Sequence, residues 1–200
     1  MYMYIPEKLT DKLIKMQVVD DKEKDLYVYG FQQGLLLLFN MMTVMIIGFI
    51  FNMIWQSIVF TVAYSLLRAY AGGYHTSTQL RCYLFSVIMI TAVLWVIKQI
   101  SWNGPICLII TAIASVIVFI LAPVEDKKKP LCKVEQAIFK KRTNIILGIL
   151  IGFVVLLWLI GLNQISICIS VALGMLSIML VLGKIKNDWS GGLCLKKLYH

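Results

Sequence analysis

The chain has 200 residues, of which 60% are hydrophobic and only 14% charged, and its formal net charge is +9. A soluble domain is about 45–50% apolar and about 25% charged, so the composition excludes an ordinary water-soluble enzyme and points to a polytopic membrane protein. The positive charge is distributed as membrane topology requires, so a nucleic-acid partner is neither needed nor expected.

The first 30 residues are polar and charged, and no cleavable signal peptide is expected. Pro6 marks a helix start, and Leu9, Leu13 and Met16 follow at helical spacing with lysines and acids on the other face. This pattern fits an amphipathic helix on the inner leaflet, and equally a solvated lead-in. Six apolar runs follow: Leu35–Phe51, Ile54–Leu67, Tyr83–Ile97, Ile106–Val124, Ile145–Leu162 and Ile165–Gly183. A span needs roughly 20 apolar residues. The predicted fold is therefore an all-α polytopic membrane protein with six transmembrane helices, or four if the shorter runs are re-entrant. Ile54–Leu67 is the weakest of them, being short and carrying Gln56 and Ser57.

With six spans, the outer connections are minimal: Asn52–Met53, Lys98–Pro105 and Asn163–Gln164. The inner ones, Arg68–Cys82 and Glu125–Asn144, are longer. Of the 19 lysines and arginines, all but Lys98 fall on the side of the longer loops. Basic loops stay cytoplasmic, so the expectation is a multi-pass protein of the bacterial plasma membrane with both termini in the cytosol. The expected organisation is an amphipathic segment over 1–30, a transmembrane domain over 31–183 with polar loops at 68–82 and 123–144, and a cytosolic tail over 184–200. The sequence Gly148-Ile-Leu-Ile-Gly152 fits a small-xxx-small helix contact.

The five cysteines, Cys82, Cys107, Cys132, Cys168 and Cys194, have no Cys-x-x-Cys spacing, so neither a disulfide framework nor a zinc site is read. No metal and no cofactor are expected. Cys107 and Cys168 lie in apolar runs, where cysteine acts as a small hydrophobe.

Chemistry concentrates in Arg68-Ala-Tyr-Ala-Gly-Gly-Tyr-His75-Thr-Ser-Thr-Gln-Leu-Arg-Cys82, which holds the only histidine before the C-terminal His200. Cys82 falls where the third span begins. A helix N-terminus with Arg81 adjacent favours a thiolate, and a histidine can serve such a nucleophile as its base. Were one helix to run through both, His75 and Cys82 would stand about 10.5 Å apart in rise. A dyad therefore requires His75 to lie in a loop that folds back, for which Gly72 and Gly73 supply backbone freedom. Thr76, Ser77 and Thr78 can cap the helix start. Arg68 can snorkel to lipid phosphates or clamp a carboxylate or carbonyl, and Gln79 is a candidate donor to an oxyanion. In the second polar landmark, Ala122-Pro-Val-Glu-Asp-Lys-Lys-Lys-Pro-Leu131, the lysines Lys127, Lys128 and Lys129 are either a topological anchor or a docking patch for an acidic peptide.

Arg68-x-x-x-Gly-Gly-x-His75 followed by Cys82, together with the Ala122–Leu131 segment, resembles the two signature motifs of the accessory gene regulator B family. The resemblance covers nearly the whole chain. It implies a bacterial membrane endopeptidase that matures a short quorum-sensing propeptide (an AgrD-type peptide), with Cys82 as nucleophile and His75 as general base. Arg68 and Gly73 match further positions of the family pattern. By the same resemblance the acidic tail of the propeptide meets Lys127–Lys129, an acyl-thioester forms and closes to a thiolactone or lactone, and the enzyme is a homodimer. Two alternatives stay open: a non-enzymatic transporter or scaffold, and a membrane cysteine acyltransferase with the same dyad. The absence of an acid or base in mid-span weighs against an ion-coupled transporter.

Overall fold

Long apolar runs fold as helices because hydrocarbon offers backbone N–H and C=O groups no partner outside the segment. A computed structural model of the chain describes residues 4–16, 20–73, 79–100, 104–124 and 133–197. Among them are seven α-helices and no strand: α1 (Tyr4–Lys15), α2 (Lys24–Ile50), α3 (Ile54–Ala71), α4 (Gln79–Gln99), α5 (Gly104–Leu121), α6 (Lys133–Ile160) and α7 (Asn163–Lys197). Each predicted apolar run corresponds to one of α2 to α7.

Four of these helices carry stretches long and apolar enough to cross a membrane: Lys24–Ile50, Leu80–Gln99, Val134–Ile160 and Asn163–Asn187. α5 contributes a shorter apolar stretch, Pro105–Leu121, and α3 is an 18-residue helix interrupted by Gln56, Ser57 and Arg68. The four spans agree with the smaller of the two predicted counts and make a multi-pass membrane protein the consistent class. α7 runs on beyond Gly183, through Lys184 and Lys186.

The chain divides into two compact units, Met1–Ile46 and Ile47–His200. In the first, α1 is tied to the start of α2 by an ion pair between Asp11 and Lys24 at 2.7 Å. The Thr10 hydroxyl closes on the Pro6 carbonyl at 2.9 Å within α1. In the second unit α7 is the central helix: 67% of its apolar stretch is buried, against 28% for α4 and 22% for α6. It packs against α5, α3 and α6, while α4 lies at the edge against α3 and α7. Leu173, Leu176 and Leu180 of α7 are fully buried with Phe60, Leu67, Leu94, Val118 and Val154.

Small hydroxyl residues on α7 let neighbouring backbones approach and bond across helices. Thr111 of α5 donates to the Ser170 hydroxyl at 2.9 Å, and Ser166 donates to the Val154 carbonyl of α6 at 3.1 Å. Outward-facing Leu, Ile, Phe and Trp side chains such as Ile88, Trp95, Phe119, Leu156 and Leu159 are exposed. That surface suits lipid, which solvates apolar side chains.

Two short connections are closed by the same device. After α2, the Met53 N–H reaches the Gly48 carbonyl at 2.8 Å and the Asn52 N–H reaches Phe49 at 3.0 Å, with Asn52 at φ 57°. After α6, the Leu162 N–H reaches Leu157 at 2.9 Å and the Gly161 N–H reaches Trp158 at 3.1 Å, with Gly161 at φ 87°. Both are Schellman caps, whose left-handed residue falls to Gly or Asn. The second turn therefore sits at Gly161–Leu162 rather than at the expected Asn163–Gln164, because the glycine ends α6 and Asn163 already opens α7. Gly161→Ala is expected to cost about 1 kcal/mol and to lower Tm by about 2–4 °C in a thermal scan of the detergent-solubilised protein. An unchanged Tm would mean that this turn does not need a left-handed residue.

Among the described residues the small-xxx-small pair makes no close contact. A Cβ on Gly148 or Gly152 would meet nothing within 4 Å.

Candidate active site

The site grows from the C-terminal half of α3. Phe60, Tyr64 and Arg68 recur every four residues and so share one face of the helix. The Phe60 and Tyr64 rings stack with centroids 5.8 Å apart and planes 9° from parallel. The Arg68 guanidinium carbon lies 5.5 Å from the Tyr64 ring centroid, and its Nη1 donates to the Tyr64 hydroxyl. Phe60 and Tyr64 are both buried. A guanidinium at this depth is thus held by an aromatic face and a phenol oxygen together, a stronger setting than a lone snorkelling arginine.

α3 ends where Gly72 takes φ 73°, its N–H bonding the Arg68 carbonyl at 3.1 Å, and Gly73 follows at φ 125°. The Val124 N–H donates to the Ala71 carbonyl at 3.0 Å, and Gly72 and Val124 form a parallel bridge. The Ala122–Pro123 bond is cis. The segment Ala122-Pro-Val, which opens the second sequence motif, therefore lies directly on the glycine pair of the first. The fold joins the two motifs through their backbones. A Cβ on Gly72 would stand 2.3 Å from the Val124 carbonyl oxygen, so only glycine lets the two backbones approach this closely.

α4 begins at Gln79, and Cys82 falls in its first turn, as the sequence predicted. Cys82 is half-buried, whereas Cys107 and Cys168 are buried and all three are free thiols. The Cys82 carbonyl accepts from the Ser86 hydroxyl at 3.1 Å. Arg81 is exposed. α4 packs against α3, the helix that carries Tyr64 and Arg68. Of the other predicted site residues, His75, Lys127, Lys128 and Lys129 lie outside the described residues, as do Glu125, Asp126 and Cys132. Gln79 is described only as the opening residue of α4.

Tyr64 is the residue that sequence reading missed. Its signal was its place four residues before Arg68 on a helix, hidden because an aromatic in an apolar run reads first as core. Two residues past Arg68, at Tyr70, α3 also meets α6. Tyr70 and Phe139 have ring centroids 6.2 Å apart, and the Arg142 guanidinium carbon lies 5.4 Å from the Tyr70 centroid. On the outer face of α6, Lys140, Lys141 and Asn144 line an open cleft of about 530 Å³ with Ala137 and Ile145.

The model of the family described as accessory gene regulator B matches residues 6–180. The chain belongs to the accessory gene regulator B family. Similar relatives include AgrB-like protein 2 of Clostridium perfringens strain 13, 28% identical over 134 residues, covering 64% of this chain and 63% of the relative. An AgrB-like protein of C. perfringens strain SM101 is 30% identical over 134 residues, 64% of this chain and 61% of its own length. Accessory gene regulator protein B of Staphylococcus aureus strain Newman is 29% identical over 85 residues, 42% of this chain and 45% of the relative. The matched region thus spans under two thirds of each of these relatives. No solved structure gives a significant match.

Proposed function

We propose that this chain acts in an accessory gene regulator system as a membrane cysteine endopeptidase. It removes the C-terminal tail of a short propeptide through an acyl-thioester on Cys82 and promotes closure of the product to a thiolactone or lactone. One observation carries the reading furthest. Of Cys82, Cys107 and Cys168, Cys82 alone is partly accessible, and it stands in the first turn of α4.

In this reading His75 takes the thiol proton and returns it to the leaving amine, Arg68 holds a substrate carbonyl or carboxylate, and Gly72 and Gly73 keep the loop on the second motif. Gln79 is a further polar contact to substrate. Lys127, Lys128 and Lys129 draw in the acidic tail, with Lys140 and Lys141 at the cleft on α6 adding positive charge. The protein spans the plasma membrane several times with both termini in the cytosol, and α1 lies on the inner leaflet. It works as a homodimer, for which the open face of α6 around Gly148 and Gly152 is available.

The test against a transporter or scaffold is thiol reactivity. In membranes, iodoacetamide is expected to label Cys82 at least about tenfold faster than Cys132 or Cys194, since rate follows thiolate fraction and access. Equal rates for the three would remove the support for an activated nucleophile and put the non-enzymatic class ahead.

A further inference from the structure

Arg68 stands in the last turn of α3. An arginine in that place ordinarily reaches forward, to the last carbonyls of the helix or to lipid phosphates beyond them. Here it runs the other way. Side chains lean towards the N-terminus of their helix, and the Arg68 guanidinium follows that lean back by one turn onto Tyr64, a buried residue. The charge is therefore drawn down the helix instead of out past its end.

Two contacts of different kinds hold the guanidinium there. Its carbon lies 5.5 Å from the Tyr64 ring centroid, within cation–π range, while Nη1 donates to the hydroxyl at the rim of the same ring. Turning about the last side-chain torsion would sacrifice one of the two. The ring is fixed in its turn by Phe60, stacked 5.8 Å away with planes 9° from parallel, and itself only 1% exposed. Phe60, Tyr64 and Arg68 thus form a column on one face of α3, buried at the Phe60 end and half-buried at the Arg68 end. A mobile arginine loses rotamer freedom when it takes a ligand, and that loss weakens binding by about three- to tenfold. An arginine already held loses little, and its planar fork meets a carboxylate or carbonyl in a set direction.

We propose that Tyr64 is a positioning residue for substrate binding: its ring and hydroxyl orient Arg68 before the propeptide arrives, so that the guanidinium receives a carboxylate or carbonyl of the peptide without first having to be ordered. The effect of Tyr64 runs through Arg68 alone. The assignment rests on the peptidase reading, in which Arg68 holds the substrate.

Tyr64→Phe tests it, because the variant keeps the ring that stacks on Phe60 and lies against the guanidinium and removes only the acceptor oxygen. The substrate is a synthetic peptide from the short reading frame beside the gene, with the protein in lipid nanodiscs. KM is expected to rise about three- to tenfold, with kcat and the rate of iodoacetamide labelling at Cys82 both unchanged. The second arm is a double-mutant cycle on the Kd of the same peptide, fluorescently labelled and bound to Cys82→Ala protein, which holds it uncleaved. There Tyr64→Phe is expected to weaken binding by a similar factor when Arg68 is present and to add nothing once Arg68→Ala is made. An unchanged KM would overturn the assignment, and so would a fall in kcat at constant KM. An equal loss of binding with and without Arg68 would overturn it too, because a damaged fold or a direct contact from Tyr64 to the peptide acts in both backgrounds. Cleavage that persists in Cys82→Ala, measured alongside, would sink the peptidase reading itself and is separable from all three.

Discussion

Cys82→Ala is expected to leave the propeptide at full length, whereas the wild-type protein shortens it at its C-terminus. The comparison is intact mass and gel mobility of the short peptide co-expressed with either form. Loss of a nucleophile removes the covalent route altogether, so the expected drop is at least about a thousandfold. A hydroxylamine-sensitive adduct on Cys82 in the wild type would identify the thioester. The substitution itself is small. Cys82 is half-buried at the edge helix α4, away from the fully buried layer of Leu94, Val118, Leu173 and Leu176. A shrunken side chain there creates little cavity, so lost activity in this variant cannot be laid to a lost fold.

The same experiment separates the two enzyme classes. An acyltransferase using the same thiol would become acylated without releasing a peptide tail. A wild-type protein that gains an adduct while the propeptide keeps its mass would favour that class. A propeptide left whole by both forms, with no adduct, would leave Cys82 as an ordinary helix-end cysteine.

How far the sequence was legible depends on the range of the interactions. The positions of α2 to α7 follow from apolar runs, a local property, and so does the placement of Cys82 at a helix start. The turn after α6 was misplaced by two residues because apolarity continues through Gly161 and Leu162, and only the left-handed glycine marks the end of the helix. The span count is less legible: α3 is helical throughout, but Gln56, Ser57 and Arg68 lower its hydropathy along 18 residues, and α5 carries only a short apolar stretch. What no local pattern carries is the joining of Gly72 to Val124, a pairing made across α4 and α5 and visible only once those helices are packed. Tyr64 lies between the two cases. Its spacing to Arg68 is local, but the bond it accepts from the guanidinium shows only in the folded helix.

That long-range junction yields the second large effect. Gly72→Ala is expected to destabilise the protein by about 3 kcal/mol or more and to abolish propeptide shortening. Gly72 adopts φ 73° and ψ −143°, a region that costs side-chain-bearing residues about 1–3 kcal/mol. The new Cβ would also meet the Val124 carbonyl oxygen at 2.3 Å. That oxygen belongs to backbone and cannot swing aside as a side chain would. Relief requires the Ala122–Val124 segment to move away, which stretches the 3.0 Å bond from Val124 to Ala71 and leaves a backbone donor and acceptor unpaired. Gly34→Ala is the control, since its Cβ would meet nothing within 4 Å in the middle of α2, and alanine there is expected to be neutral or stabilising by up to about 1 kcal/mol. A thermal scan in detergent reads the first quantity and propeptide mass the second. Should Gly72→Ala melt like the control and still cleave, the two motifs would not depend on each other's backbone. Should it melt lower while Cys82 labels at the wild-type rate, the junction would serve substrate placement through Arg68 and the second loop, with the nucleophile on α4 set independently of it.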